Sequence, residues 1–378
     1  MKVIILGAGL VGGPMAKDLA AEDRFDVSEA DINEGALKRL ECGLPIRTVQ
    51  ADLSDPADVS RLVEGYDIVI SAVPGFMGYR TLEAVIRAGR NVVDIAFFPE
   101  DPFPLDDLAK ERGVVAIMDC GVAPGMSNIL TGYADNLLDA TETAITYVGG
   151  LPLIREWPYD YKAVFSPVDV IEEYTRPARY VENGVMVVKP ALSDPELIHF
   201  PEAGTLEAFN SDGLRTMATT IKAPNLKEKT LRYPGHIEKM AVLRETGFFS
   251  REPVEIGGRM IRPLDFTAKL LFPKWEMREG DIDMTIMRVI VEGTRGGERL
   301  RYTYDLFDRF DKKTGVHSMA RTTGYTATMA LRMIAGGLYT RTGVSAPEYI
   351  GKQPECVAFM LEGLGERGVV YRETVESI

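Results

Sequence analysis

The first third of the chain alternates short apolar runs with stretches of helical spacing. Val3, Ile4, Ile5 and Leu6 form an unbroken apolar run, suited to a strand buried on both faces. From Gly12 the pattern changes: Met15, Ala16, Leu19 and Ala20 recur three and four residues apart, and Pro14 stands in the first turn, where its missing N–H does no harm. The same change of period then repeats. "FDVSEADIN" predicts a second strand ending at Asp31, "IRTVQADLSD" a third ending near Asp52, "YDIVISAVPG" a fourth, "NVVDIAF" a fifth and "VVAIMDCGVAPG" a sixth. Helices are predicted over 55–64, 79–88 and 105–110. Such alternation predicts an α/β fold, a Rossmann-type doubly wound parallel sheet with helices on both faces.

From about residue 151 to 314 the period changes again, to longer strands separated by turns. "ARYVENGVMVVKP" reads as a hairpin turning at Asn183-Gly184, and "DMTIMRVIVEGTRGGERLRYTYDLF" as another turning at Gly296-Gly297. Ser166 before Pro167, with Asp169 beyond, predicts a helix start, and "GHIEKMAVLRETGFF" carries an apolar stripe at helical spacing. These elements predict a second, α+β domain built on a mixed sheet. The last long apolar helix, "SMARTTGYTATMALRMIAGGLY", is expected to pack back on the first domain. The predicted boundaries are 1–125 for the first domain, 126–318 for the second and 319–378 for the returning helical segment.

Composition narrows the function classes. A chain of 378 residues, 46% hydrophobic, can bury a sizeable core in about two domains. Its net charge of −13 argues against nucleic acid or an anionic membrane as the main partner, since both require clustered Lys and Arg to displace counterions. Glycines interrupt the opening apolar run, so it does not read as a signal peptide, and "TATMALRMIAGGLY" contains Arg332 and falls short of the ~20 apolar residues of a membrane span. Cys42, Cys120 and Cys356 are odd in number and far apart, which predicts neither disulfides nor a metal site and points to a reducing, cytoplasmic compartment.

Gly7, Gly9 and Gly12 follow the G-x-G-x-x-G spacing between a predicted strand and helix. In that context the first glycine permits the tight turn, the second lets backbone approach a pyrophosphate, and the third lets helix and strand pack closely. Leu10 and Val11 complete the turn at a helix N-terminus, whose unpaired N–H groups favour phosphate. Asp31 lies ~20 residues further on, where a carboxylate binds the ribose hydroxyls and repels a 2′-phosphate. Ile32 and Asn33 follow it, with no arginine, so the predicted cofactor is NAD. Ligands of such sheets sit beyond the carboxyl ends of the strands. The Ser71–Ala72–Val73–Pro74 segment, then Asp94, then Asp119 and Cys120 are therefore expected to rim one crevice, with Ser71–Pro74 beside the cofactor, and Asp52 at the third strand's end is a further expected cofactor contact. For Asp94 the plainer alternative is a turn cap, and for Cys120 a buried filler.

Several segments together resemble one family over nearly the whole chain: "GAGLVG", "SAVP", "VVDIAF", "DCGVAPGMSNIL", "FNSDGLRT" and "TLRYPGHIEKM". They are similar to the saccharopine dehydrogenase family, and within it most resemble the lysine 6-dehydrogenase-like members. In place of the Asp that glutamate-forming reductases usually carry before the Pro-Gly of the sixth-strand loop, this chain has Ala123. The resemblance implies a soluble homodimer that oxidises the carbon bearing an amino acid's amine, with water releasing ammonia from the imine. Arg215 is then the expected ligand of the substrate carboxylate, because a planar guanidinium matches a carboxylate, with Asp212 beside it in the same motif. His236 is the expected general base, since imidazole titrates near neutral pH; it can equally cap a helix or bond a loop carbonyl. Asp94 is expected to hold the substrate ammonium or orient a water, and Cys120 to lie near the substrate without acting as a nucleophile. Two other readings share most of these features: a reductase that condenses an amino acid with an aldehyde and reduces the imine, and a dinucleotide-sensing regulator without catalysis.

Overall fold

The computed structural model describes residues 1–41 and 44–378; Cys42 lies outside the described residues. The chain divides into two compact units, one formed by 1–138 with 319–371 and the other by 139–318 with 372–378.

The first unit is built on strands β1 (Lys2–Leu6), β2 (Asp26–Asp31), β3 (Ile46–Gln50), β4 (Ile68–Ser71), β5 (Asn91–Asp94) and β6 (Val115–Ile117). Helices α1 (Gly12–Ala20), α2 (Glu34–Leu40), α3 (Pro56–Val63), α4 (Gly75–Arg87) and α5 (Asp106–Glu111) alternate with them. All the strand pairings are parallel, in the order Gly343–Ser345, β6, β5, β4, β1, β2, β3. Ile4 and Leu6 share one core with Val59 and Val63 of α3 and with Leu82, Val85 and Ile86 of α4, as period-two alternation along a strand requires. The predicted six-stranded sheet thus gains a seventh strand, Gly343–Ser345, at its β6 edge; three residues running into Ala346 and Pro347 are too short to show a period. The unit also contains Met126–Leu137, the long helix Ser318–Ala335 from Met319 onward, and Pro354–Glu366.

Around α1 the unit is held by a partly buried ion network centred on Arg332. Asp18 accepts from Arg332 Nη1 and Arg367 Nε, each at 2.7 Å, and Glu22 accepts from Arg332 Nε at 2.6 Å. The helix that follows the glycine turn is thereby fastened to two helices distant in sequence.

The second unit is a nine-stranded mixed sheet. Its main path runs Glu196–Phe200, Gly204–Asn210, Asn225–Arg232, Ala140–Pro152, Asp283–Arg295, Glu298–Arg309 and Tyr371–Ser377. Asn225–Arg232 runs parallel to Ala140–Pro152, whereas Ala140–Pro152 pairs antiparallel with Asp283–Arg295. Both predicted hairpins form where their turn residues place them. Asn183 and Gly184 have φ of 51° and 77°, and Gly296 and Gly297 of 60° and 84°, the left-handed pairs that a two-residue turn between twisted strands requires. Helix Pro167–Thr175 begins after Ser166, but the serine side chain makes no capping bond, so Pro167 supplies the start signal. Tyr161, Tyr174, Phe209, Ile237, Met240 and Trp275 form a core of this unit.

Candidate functional site

In the first unit the glycine turn divides its residues by what each must touch. Gly7 has φ of 112°, and a Cβ there would lie 2.6 Å from the Ala72 carbonyl oxygen. A Cβ on Gly12 would lie 1.8 Å from the Gly7 carbonyl oxygen. Around Gly9, by contrast, nothing lies within 4 Å of that position. The outer glycines are thus demanded by the turn's own packing, while the middle one borders open space of the kind a pyrophosphate needs for close approach. Leu10 is half exposed and Val11 caps α1 without a side-chain bond, leaving the helix N-terminus to a ligand. These residues fit a dinucleotide.

Asp31 ends β2 with both carboxylate oxygens engaged locally: Oδ2 accepts the Ala8 N–H and Oδ1 the Asn33 N–H, each at 2.7 Å. This ties the strand end to the glycine turn. Asp52 lies past the end of β3, fully exposed, and its hydrogen bonds with Ser54 hold its carboxyl below the usual range. At the end of β4, Ala72 packs on Gly7 and donates to the Leu6 carbonyl at 2.9 Å, so Ser71–Pro74 borders the turn. Ser71 is fully buried, and among the described residues its hydroxyl has no hydrogen-bond partner. Val73 is buried and Pro74 exposed at the start of α4.

One residue of this region escaped the sequence reading. Glu29, two residues before Asp31 on β2, is fully buried, with both carboxyl oxygens lacking a hydrogen-bond partner among the described residues. Its Oε1 lies 3.1 Å from where a Cβ on Gly12 would sit, so it is wedged beneath the first turn of α1. Burial, reinforced by the Asp31 carboxylate and opposed by Lys17, pushes its carboxyl up to about 8. The sequence carries no signal for it, because β2 reads Asp-Val-Ser-Glu-Ala-Asp and a glutamate does not stand out there.

The ends of β5 and β6 meet where the Cys120 N–H donates to the Asp94 carbonyl at 2.8 Å. The Asp94 side chain is fully buried, and its Oδ1 accepts the Ala96 N–H at 2.9 Å, the turn-capping bond weighed from the sequence. Cys120 is fully buried; desolvation, then the Asp119 and Asp94 carboxylates, raise its thiol far above the ordinary range, which keeps it protonated and unreactive.

The second unit surrounds Asp212 and His236 with partners of their own. Asp212 is buried, and its carboxylate receives the fork of Arg179, Nε at 2.8 Å and Nη2 at 2.9 Å. A carboxylate committed to a bidentate guanidinium organises its turn and is poorly suited to binding substrate. His236 is also buried, at 1% exposure. Its Nδ1 lies 2.8 Å from the Tyr159 carbonyl oxygen, which can only accept, so Nδ1 carries the proton; Nε2 then accepts from the Tyr174 hydroxyl at 3.0 Å. Burial, with the Arg232 charge adding to it, lowers its pKa to about 3. The bond to a loop carbonyl is the plainer of the two roles open to His236, and burial favours the neutral imidazole.

Arg215 keeps a different character. It is half-buried between buried Leu214 and Thr216, with φ of 53°, a conformation uncommon for a residue with a side chain and typical of strained functional sites. The turn carrying it rests on Glu228, another residue the sequence reading passed over: Glu228 Oε2 accepts from Ser211 Oγ at 2.7 Å and from the Gly213 N–H at 3.1 Å.

Among the described residues no His, Cys, Asp and Glu are grouped to hold a metal ion, and no helix is long and apolar enough to cross a membrane. A parallel sheet with a glycine turn at its first strand end, joined to a mixed-sheet domain, is the architecture of a two-domain dinucleotide-binding protein. Residues 3–117 match the saccharopine dehydrogenase NADP binding domain and residues 121–369 the saccharopine dehydrogenase C-terminal domain, so the chain belongs to the saccharopine dehydrogenase family. It is 26% identical to the carboxyaminopropylagmatine dehydrogenase of Synechocystis, over 99% of this chain and 98% of that one. It is 23% identical to the saccharopine dehydrogenase [NADP(+), L-glutamate-forming] of Schizosaccharomyces pombe, over 91% of this chain and 93% of that one. The structure of apo saccharopine dehydrogenase (L-Glu forming) from Saccharomyces cerevisiae shares the fold, with a TM-score of 0.80 at 18% identity over 99% of each chain.

Proposed function

We propose that this protein is an NAD-dependent oxidoreductase that deaminates the side-chain amine of an amino acid, with lysine as the substrate. The reading rests on Arg215, held half-exposed in a strained backbone on a turn whose other residues are buried and bonded. A fixed guanidinium on a rigid turn suits the α-carboxylate of an amino acid, and a misplacement of about 1 Å at the reacting end would cost ~100-fold in rate. When bound, the nicotinamide would supply the hydride acceptor. The glycine turn and the α1 N-terminus would hold the pyrophosphate, and Asp31 and Asp52, at and just past their strand ends, would lie toward the adenosine ribose. Asp94 holds the reacting amine and takes the proton that must leave it before electrons can move; His236, neutral and fully bonded, keeps the second unit's core in register. The protein acts as a homodimer in the cytoplasm.

The choice of NAD runs against the NADP in the names of the family domain and of the fission-yeast relative. It is supported by Asp31, whose carboxylate would repel a 2′-phosphate, and by the absence of an arginine in the Ile32–Asn33 segment that follows. A second reading is supported by the near full-length match to dehydrogenases named for saccharopine and carboxyaminopropylagmatine: oxidation of a carbon bearing a secondary amine. The deciding experiment follows dinucleotide reduction with lysine, saccharopine and a panel of amino acids and polyamine conjugates. Turnover of lysine with ammonia release supports the first reading, turnover of saccharopine alone replaces it with the second, and dinucleotide binding without any turnover leaves a sensor.

A further inference from the structure

The turn that carries Arg215 is held from below by the carboxyl group of Glu228. Glu228 lies in the strand Asn225–Arg232 and is 5% exposed. Its Oε2 accepts both the Ser211 hydroxyl, at 2.7 Å, and the Gly213 N–H, at 3.1 Å, and the Ser211 hydroxyl also lies 2.7 Å from Thr230 Oγ1 on the same strand. The fit is close: a Cβ on Gly213 would stand 2.4 Å from the Glu228 carboxyl. Asp212, between the two bonded residues, is locked by Arg179. Leu214 and Thr216 are buried, so the strained φ of Arg215 is imposed from both sides.

We propose that Glu228 is a positioning residue: its carboxylate holds the 211–216 turn in the strained shape that presents Arg215, and the turn loosens when that carboxylate takes a proton. An ionised carboxylate holds both donors on Oε2 through charge-assisted bonds; a proton on Oε2 costs one of them, and a proton on Oε1 leaves both as weaker, neutral bonds. The charged groups bearing on it are Glu173, on helix Pro167–Thr175, and Asp212, on the turn itself; both are acidic and oppose its ionisation. Burial, the largest influence, together with these charges outweighs the bonds from Ser211 and Gly213 and pushes the carboxyl up to about 7. The loss of charge is therefore expected near neutral pH. The consequence for substrate rests on the proposed role of Arg215; the consequence for the turn does not.

The test measures hydrogen-exchange protection of the 211–216 peptide in the whole protein between about pH 6 and 8.5, after correction for intrinsic exchange, alongside KM and kcat for L-lysine. In the wild type, protection should fall several-fold below about pH 7 while the adjoining strands hold theirs, and KM should rise over the same range. Glu228→Gln, whose amide oxygen can still accept both bonds but cannot titrate, should make both quantities flat across that range. Wild-type protection that is equal on both sides of pH 7, or that varies with pH identically in Glu228→Gln, overturns the proposal, and the first of these needs no variant. Arg215→Ala separates the two claims: if it leaves KM unchanged, the substrate reading fails, while the exchange profile still decides the role of Glu228.

Discussion

His236 and Tyr174 share a buried hydrogen bond of 3.0 Å in which the imidazole accepts, because its other nitrogen donates to the Tyr159 carbonyl. The ring is neutral in the folded protein and would be cationic below about pH 6.5 once unfolded. With a folded pKa lowered to about 3, it contributes stability that is present above the unfolded value and lost as pH falls from about 6.5 toward 3. His236→Ala should lower stability by about 2 kcal/mol near pH 7, since two buried partners lose their bonds, and should flatten acid destabilisation over that window. Denaturant titration at several pH values checks this. The kcat profile of the folded variant should keep the wild-type shape; a kinetic pKa near neutral pH that disappears in the variant would return His236 to a proton-transfer role.

Asp31 bonds the Ala8 N–H and the Asn33 N–H, so it shapes the turn in addition to the ribose contact proposed for it. Asp31→Ala should weaken NAD by ten-fold or more and leave NADP nearly unchanged or improved, because the lost carboxylate no longer repels a 2′-phosphate. Fluorescence titration with both reduced dinucleotides provides the comparison, and an unaltered preference would remove the argument for NAD.

Arg215→Ala should raise KM for the amino-acid substrate by ~100-fold, the loss of a charge-assisted pair, with NAD affinity unchanged. Arg215→Lys should recover little, because an ammonium cannot reproduce the planar fork. Equal losses in substrate and dinucleotide affinity would signal misfolding instead.

Much of this architecture was legible because its signals are local. The glycine spacing, Asp31, and the turns at Asn183-Gly184 and Gly296-Gly297 state backbone requirements that only a few residue types meet, and the structure places each where the spacing puts it. The strand Gly343–Ser345 was not legible, because three residues hold no period and its partner β6 lies more than 200 positions earlier. Site chemistry was less legible than site location. "RYPGH" marked His236 as unusual, but burial decides its protonation, and burial depends on Tyr159 and Tyr174, both more than 60 residues away in sequence. Likewise Arg179 captures Asp212 across 33 residues, a pairing no motif announces.

Glu29 sits beneath the glycine turn, and among the described residues no hydrogen bond compensates a charge on its carboxyl. Its carboxyl is raised from 4.5 to about 8, so the folded protein binds a proton that the unfolded chain releases. A carboxyl raised in this way contributes stability that is fully present below about pH 4.5 and is lost as pH rises through about 8. Ionising it there would set a charge against the Asp31 carboxylate with only Lys17 in opposition. Glu29→Gln abolishes the titration while keeping nearly the same volume. Wild type should therefore lose on the order of 4 kcal/mol between pH 5 and pH 9 that the variant retains. Dinucleotide affinity should follow the same course, because the group wedged against Gly12 lies under the turn that receives the pyrophosphate. Thermal unfolding across this range, with and without dinucleotide, makes the comparison. Parallel pH profiles for the two proteins would mean that Glu29 is ionised and compensated in the folded state, and would leave the turn independent of it.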